Sequence, residues 1–296
     1  MATAEEMKWG ITGGSGQLAR ALVELLSSHN IPHVAWSRAE LDITDTTSMS
    51  IIDDFEPTIL VNCAAWTNVD RAEDSPEEAL RVNHLGAQNV AVKAKELNIP
   101  LIHISSDYVF SGVASRPWKV NHATEPTSGY GLSKLMGEQV IREIWPEKSA
   151  IFRTAWLFGP HGKNFAKTIT RRALTTRDEI NVVNDQTGQP TSTDDLASQI
   201  LNFVNISGSP GIYHATNSGS ATWWDFAREL VELSGEDKNR VKPVSSEEFS
   251  SKIKRPSYSV LDHSGWSKVN LQEMRNWRVA LHEVFPRIRE AIEKDL

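Results

Sequence analysis

Cysteine is nearly absent from this 296-residue sequence: Cys63 stands alone, which excludes an internal disulfide framework and any cysteine-based zinc site. It lies in the apolar run 59–65 and reads as a small buried side chain. The nine histidines are scattered without metal-type spacing to carboxylates, so no metal is expected. No apolar run comes near the roughly eighteen residues that cross a bilayer, and residues 1–8 lack the basic and apolar stretches of a secretory signal. The expected setting is therefore the cytoplasm, with no membrane partner. Basic residues are outnumbered, giving a net charge of -7 and a pI of about 5.8, which argues against a nucleic-acid partner. Repeats, low-complexity tracts and long linkers are missing too.

What the chain has is regular alternation. Over its first half, short runs rich in β-branched residues alternate with longer amphipathic segments, the pattern of βαβ units around a parallel sheet. Strands are expected at 9–12, 33–36, 59–63, 101–105 and 151–154. One clear helix is 76–97, where Leu80, Ala87, Val90, Ala91 and Ala94 form a recurring apolar stripe. Another is 132–144, with Leu135, Val140 and Ile144 inward, Tyr130 at its entry and Pro146 at its end. Beyond Trp156 the alternation weakens into helices expected at 164–175, 194–204 and 223–234, punctuated by Gly188, Pro190, Gly208, Pro210 and Gly211. The expected architecture is α/β. A Rossmann-type doubly wound parallel sheet forms the dinucleotide-binding domain over 1–156, rejoined by about 185–210, and a smaller mixed α/β substrate-binding lobe comes from 157–184 and 211–296.

The first strand runs into Thr12-Gly13-Gly14-Ser15-Gly16-Gln17-Leu18-Ala19 and then an apolar helix. Gly13 permits a tight turn, Gly16 lets a pyrophosphate approach the backbone, and the small Ala19 allows helix to pack on strand, while the helix N-terminus offers donors and positive potential. A glycine pattern alone is weak; between a strand and a helix it points to a dinucleotide. The second strand ends at Trp36-Ser37-Arg38, where an NAD-selective chain would often place an acidic residue on the ribose 2′-hydroxyl. A hydroxyl and a guanidinium can instead receive a 2′-phosphate, so NADPH is expected ahead of NADH. The alternative is a solvated Arg38 with Glu40 or Asp42 approaching the ribose.

Tyr130 and Lys134 lie four residues apart in the run 128–134, one turn of helix, and so share a face. A phenol ordinarily ionises near pH 10, but an ammonium about 4 Å away at an effective dielectric near 20 is worth roughly 4 kcal/mol, on the order of three pKa units at most. The expected consequence is a phenol able to exchange a proton near neutral pH. Chance supplies such a spacing in about one chain of this size in five, and an ordinary helix with an exposed Lys would show it too. Ser105-Ser106-Asp107-Tyr108 follows the fourth strand, at the carboxyl edge where ligands of open α/β sheets bind. Ser106 there can hydrogen-bond a carbonyl or simply cap a turn. Joined to the glycine turn, Ser106, Tyr130 and Lys134 are the expected catalytic residues.

With this constellation in this order, the chain resembles the extended short-chain dehydrogenase/reductase family, and within it the dTDP-4-dehydrorhamnose reductases, over nearly its whole length. The resemblance is carried by 13–18, Asp42-Ile43-Thr44-Asp45, the stretch 61–70 with Ala72-Glu73, 104–110, Arg153-Thr154-Ala155-Trp156, Asn164-Phe165, the stretch 185–191, Arg255-Pro256, Ser259 and 277–281. It implies reduction of the C4 ketone of dTDP-4-dehydro-β-L-rhamnose to dTDP-β-L-rhamnose, the closing step of that nucleotide-sugar pathway, with Tyr130 as proton donor. It further implies that Gly13, Gly16, Gln17 and Leu18 hold the pyrophosphate, Ser37 and Arg38 the ribose or its phosphate, and Asp42 and Ile43 the adenine. Ala64, Ala65 and Thr67 would line the nicotinamide side, with Asn83 nearby. Lys134 would bond the nicotinamide ribose while lowering the Tyr130 pKa, and Ser106 would steady the carbonyl oxygen. Val69, Asp107, Tyr108, Trp156 and Asn164 match positions around the sugar and diphosphate. Trp156 has core packing as its competing reading, and Arg255 either meets the diphosphate or forms a structural ion pair.

The chain departs from the family pattern where Ser106 replaces a common Thr, keeping the hydroxyl, and where Ala19 replaces the third glycine. The acidic residues that form a magnesium-linked dimer interface in some relatives do not map here, so neither metal nor dimer carries over; the oligomeric state and an association with the preceding epimerase stay open. An epimerase or 4,6-dehydratase would share the fold and the Tyr-Lys pair, but dehydratases typically follow the hydroxyl residue with Asp-Glu, and here Asp107 is followed by Tyr108. A reductase of a related dTDP-4-keto-6-deoxy sugar is an alternative. So is a non-catalytic regulatory subunit resembling that of methionine adenosyltransferase, against which the retained Ser106, Tyr130 and Lys134 count.

Overall fold

The computed structural model describes residues 7–248 and 255–294. The first half supplies β1 (Trp9–Thr12), β2 (His33–Trp36), β3 (Ile59–Asn62), β4 (Leu101–Ser106) and β5 (Ser149–Thr154), within a residue or two of where the alternation places them. The second half supplies β6 (Leu157–Phe158), β7 (Ile180–Val183), β8 (Thr187–Gly188), β9 (Thr191–Ser192), β10 (Gly211–His214), β11 (Ala221–Thr222) and β12 (Val241–Val244). The helices are α1 (Gln17–Ser28), α2 (Ser50–Phe55), α3 (Val69–Asp74), α4 (Pro76–Leu80), α5 (Ala87–Glu96), α6 (Gly129–Ile144), α7 (Phe165–Thr175), α8 (Thr193–Asn205), α9 (Trp223–Leu233) and α10 (Trp277–Glu293).

A six-stranded parallel sheet has the order β10-β5-β4-β3-β1-β2. β1, β3 and β5 are buried along their whole length, as strands covered on both faces must be. On one face α1 and α8 close over Trp9, Ile11, Ile102 and Phe152; on the other, α5 closes over Leu60, Leu101 and Ile151. From β1 the chain moves outward to β2, then returns past β1 to β3. The connections therefore diverge between β1 and β3, and ligands of open α/β sheets bind in the crevice at such a point.

β10 comes from a stretch whose sequence reads as second lobe. Its register places Ile212 beside Ile151 of β5, and Tyr213, Trp266 and Met274 join the core under α1 and α8, so the sheet layer draws on the chain well past residue 210. Within the 211–296 range, 249–254 and 295–296 lie outside the described residues. The second lobe has its own core, where Ile169, Phe226, Leu230, Trp277, Leu281 and Phe285 bring α7, α9 and α10 together beside the parallel pair β7 and β12.

Two local features shape the site. The helix expected over 76–97 passes through a wider π turn at Arg81–Gly86 between α4 and α5, which turns Asn83 inward. A Cβ on Gly137 of α6 would run into the Asn83 carbonyl oxygen, so only glycine allows this close approach. α6 itself starts earlier than the apolar pattern suggests, because the Ser128 side chain accepts from the Gly131 N–H at 3.0 Å and caps it. Tyr130 is thereby fixed within the first turn.

Candidate active site

A cleft of about 710 Å³ runs along the carboxyl edge of the sheet, from the glycine turn to the second lobe. At its first end Gly13 holds a φ of 71°, and a Cβ there would meet the Ala64 backbone at 2.7 Å, so only glycine lets the turn after β1 come this close to the segment after β3. The Gly16 N–H donates to the Gly13 carbonyl at 2.8 Å, and Gly16 stands at the N-cap of α1 with no side chain to cap it, which leaves the first amides of the helix for an anion. A cradle open to backbone donors and closed to any added Cβ fits a dinucleotide diphosphate. Gly13, Gly16, Gln17, Leu18, Arg38, Asp42, Ile43, Ala64, Ala65 and Thr67 all line the cleft.

Ser37 and Asn83 do not line it. The Ser37 N–H donates to Glu40 Oε2 at 2.8 Å, which folds Glu40 back onto the turn after β2, while Arg38, its side chain 69% exposed, reaches Asp42 at 3.4 Å. Asn83 is 1% exposed; it accepts from the Trp66 N–H at 2.9 Å and donates to the Trp66 carbonyl at 3.1 Å and to Ser133 Oγ at 2.9 Å. It braces the 64–67 loop from behind.

Ser106, Tyr130 and Lys134 meet midway along the cleft. Ser106 Oγ donates to Asp107 Oδ1 at 3.0 Å and accepts from the Tyr108 N–H at 3.2 Å. The Tyr108 and Tyr130 rings meet edge to face with centroids 5.4 Å apart. Lys134 is 2% exposed and donates from Nζ to the Ile104 carbonyl at 2.6 Å. Burial pulls the Lys134 ammonium down to about 8, with the charge of Glu138 opposing the shift. Burial also pushes the Tyr130 phenol up to about 12, against a hydrogen bond with Ser106 and helped by the Asp107 charge. The expectation of a phenol lowered by Lys134 is thus corrected: desolvation dominates, and the ammonium is committed to the β4 backbone. Tyr130 stays protonated at neutral pH, the state a proton donor needs. Asp107, 3% exposed, is pushed up to about 6 by burial, with hydrogen bonds from Ser259 and Ser106 opposing.

Toward the second lobe the wall is aromatic. Trp156 holds a φ of 46°, a left-handed setting rare for so bulky a residue, and its indole stacks on Trp223 with centroids 3.5 Å and planes 10° apart. Phe165 lies 4.5 Å from Trp223. A Cβ on Gly188 would meet the Trp156 ring at 2.6 Å, and the Thr191 N–H donates to the Trp156 carbonyl at 3.1 Å, so the stretch 185–191 seats Trp156. Trp156 therefore faces the cleft rather than the core, as do Val69, Asp107 and Tyr108. Trp223 lines it too; its sequence position, first in a helix after Thr222, carries no signal of this.

Asn164 lines the cleft with its side chain already engaged. Its Oδ1 accepts from the Lys167 N–H at 2.9 Å, and its Nδ2 donates to Gln17 Oε1 at 2.9 Å and to the Gly159 carbonyl at 3.0 Å, which ties the start of α7 to the glycine turn. Arg255 lies outside the cleft, paired with Asp70 at 3.2 Å, beside a separate hollow that Asp185 and Gln186 border.

A doubly wound parallel sheet with a bare glycine turn, and serine, tyrosine and lysine gathered at the same edge, defines the class of the short-chain dehydrogenases/reductases. The model of one protein family, described as RmlD substrate binding domain, matches residues 7–290. A Streptomyces niveus protein named dTDP-4-keto-6-deoxy-D-glucose reductase is 43% identical over 280 residues, covering 94% of this chain and 96% of its own. A Streptomyces griseus dTDP-4-dehydrorhamnose reductase is 42% identical over 284 residues, covering 94% of this chain and 93% of its own. Among solved structures, a Bacillus anthracis dTDP-4-dehydrorhamnose reductase in complex with NADP matches with a TM-score of 0.90 at 36% identity, over 95% of this chain and 99% of its own. The chain belongs to the RmlD substrate binding domain family.

Proposed function

We propose that this chain reduces the C4 ketone of dTDP-4-dehydro-β-L-rhamnose to the hydroxyl of dTDP-β-L-rhamnose, with NADPH as reductant. The observation that carries the reading is the convergence of the glycine cradle with Ser106, Tyr130 and Lys134 in one cleft. Gly13, Gly16, Gln17 and Leu18 would hold the dinucleotide diphosphate, Arg38, Asp42 and Ile43 the adenosine end, and Ala64, Ala65 and Thr67 the nicotinamide end. The exposed Arg38 and the NADP-bound Bacillus anthracis relative favour NADPH over NADH.

A reduced nicotinamide held beside Ala64, Ala65 and Thr67 would supply a hydride for the carbonyl carbon. Tyr130 donates its phenolic proton to the C4 oxygen as negative charge develops there, a step open to a phenol held protonated by burial. Ser106, turning its one O–H away from Asp107 Oδ1, donates a second hydrogen bond to that oxygen. The charge on Lys134, one turn along α6, steadies the phenolate left behind. Trp156, backed by Trp223, offers an apolar surface to the 6-deoxy sugar. Both reactants are charged nucleotides, in keeping with work in the cytoplasm; among the described residues no helix is long and apolar enough to cross a membrane.

A second reading keeps the chemistry and changes the sugar: the Streptomyces niveus relative is named for a different dTDP-4-keto-6-deoxy sugar. The test is NADPH oxidation, followed by absorbance, with enzymatically made dTDP-4-dehydrorhamnose and with dTDP-4-keto-6-deoxyglucose in parallel, the products assigned by NMR. Oxidation with the first alone supports the main reading and oxidation with the second alone replaces it. No oxidation with either, by folded protein that binds NADPH, returns the chain to the non-catalytic alternative.

A further inference from the structure

Three consecutive residues of β4 meet three residues of α6 that stand one turn apart. The Ile104 carbonyl accepts from Lys134 Nζ at 2.6 Å, the Ser105 hydroxyl donates to Glu138 Oε1 at 2.6 Å, and Ser106 hydrogen-bonds with Tyr130. Tyr130, Lys134 and Glu138 recur every four residues and so share a face of α6. Glu138 and Arg153 are each 2% exposed. Arg153 lies opposite Ser105 in the β4–β5 register and grips both Glu138 oxygens, from Nε at 2.9 Å and from Nη2 at 2.7 Å. The Phe110 ring packs over the guanidinium at 4.9 Å. A buried, doubly hydrogen-bonded ion pair is rigid, yet desolvation offsets most of its attraction, so stability alone gives little reason for one directly beneath the Tyr-Lys face.

We propose that Glu138 is a positioning residue for the reduction: clamped by Arg153 and Ser105, it fixes the setting of the α6 face that carries Tyr130 and Lys134 and presents a buried carboxylate one turn along that face from Lys134. The proposal rests on the reductase reading above. Burial alone favours neutral Lys134, and Glu138 opposes it. The other titratable or charged groups on elements packed around this face are Cys63 after β3, His103 and Asp107 on and after β4, Tyr108, Tyr130 and Arg153; Glu73 and His84 contact α6 through its backbone at Gly129 and Met136. Burial pushes the Cys63 thiol up to about 12 and holds His103 well below its ordinary value, so neither changes charge between about pH 7 and 9. An alkaline loss of activity then reports Lys134, whose value is about 8.

The test is the pH profile of kcat for wild type, Glu138→Gln and Ser105→Ala, with NADPH and dTDP-4-dehydrorhamnose saturating. Removing the carboxylate charge lowers the Lys134 pKa further, so in Glu138→Gln the alkaline limb moves toward lower pH by about one unit and kcat falls about tenfold. Ser105→Ala loses one bond and keeps the charge: kcat falls by about threefold with the limb in place. A Glu138→Gln profile that matches wild type, or a lower kcat with an unmoved limb, would overturn the proposal in favour of a purely structural ion pair. If Glu138→Gln does not fold, Glu138→Asp takes its place, and wild-type kcat in both it and Ser105→Ala overturns the proposal. Absence of turnover in wild type counts against the reductase reading itself and is distinguishable from either result.

Discussion

The two ends of the cleft are built from different parts of the chain's chemistry. At the end proposed for the cofactor the surface comes from backbone: Gly13 clears the approach to Ala64, α1 presents uncapped amides, and alanines line the far side. At the end proposed for the sugar it comes from side chains drawn from distant segments, with Trp156 in a left-handed backbone setting, Trp223 stacked on it, Phe165 behind them and Asn164 tied to Gln17. A backbone cradle depends on a few atoms and tolerates almost no change at them. An aromatic wall spreads recognition over several side chains and can be retuned without touching the cradle.

The comparison can be broken or sharpened by substitution. The largest effect is expected where the two ends meet: Tyr130→Phe removes the proton and leaves the ring, so kcat should fall on the order of 10²- to 10⁴-fold while NADPH binding, read by fluorescence titration, stays as in wild type. Unchanged kcat would remove Tyr130 from the mechanism.

Asp107 lies at the same junction, and its cost should appear as stability. Its folded value of about 6 exceeds the ordinary 3.8, so the folded state favours the protonated acid and loses stability as pH rises through about 6. Asp107→Asn has no such proton to lose. It should unfold at higher urea than wild type near pH 8, by at most about 3 kcal/mol, and show no advantage near pH 4. An advantage of equal size at both pH values would contradict this origin.

Separating the two ends directly, Gly13→Ala forces a left-handed alanine against the Ala64 backbone at a cost of about 1–3 kcal/mol, so NADPH binding should weaken roughly ten- to a hundredfold with dTDP binding by calorimetry little changed. Trp223→Ala should do the reverse and more gently: loss of one stacked pair, about 0.5–1.5 kcal/mol, raises the sugar-nucleotide KM by about two- to tenfold and leaves the NADPH Kd alone. Equal effects of either variant on both ligands would show that the cleft acts as one unit.

The same division decides what the sequence reveals. The glycine turn, Ser106, Tyr130 and Lys134 lie in short contiguous motifs tied to strand ends and a helix turn; each is weak alone, and their combination in this order points to them. Glu138 and Trp223 act through partners far away in the chain, and no local pattern marks them; Arg153 falls in a segment that carries the resemblance, but nothing local tells that it grips Glu138. Asn83 and Asn164 fall near their expected places, yet their amides serve the protein's own backbone and Gln17, because a buried amide must satisfy its donors and acceptors wherever the fold offers partners. The Tyr130 pKa went the other way for a similar reason: helix spacing gives the proximity of Lys134, but burial sets the dielectric and thereby the sign. β10 was hidden because a four-residue strand reached after a long excursion has nothing in its sequence to say which sheet it joins.

The central claim is that the glycine cradle and the Ser106-Tyr130-Lys134 group form one reducing site for a dTDP-4-keto sugar. The most direct test is a single-turnover mix of the protein, preloaded with one equivalent of NADPH, with dTDP-4-dehydrorhamnose. The account predicts loss of NADPH absorbance matched mole for mole by dTDP-rhamnose in wild type, and retained absorbance in Tyr130→Phe that binds NADPH as tightly. NADPH left intact by folded, NADPH-bound wild type, or consumed equally fast by Tyr130→Phe, would contradict it.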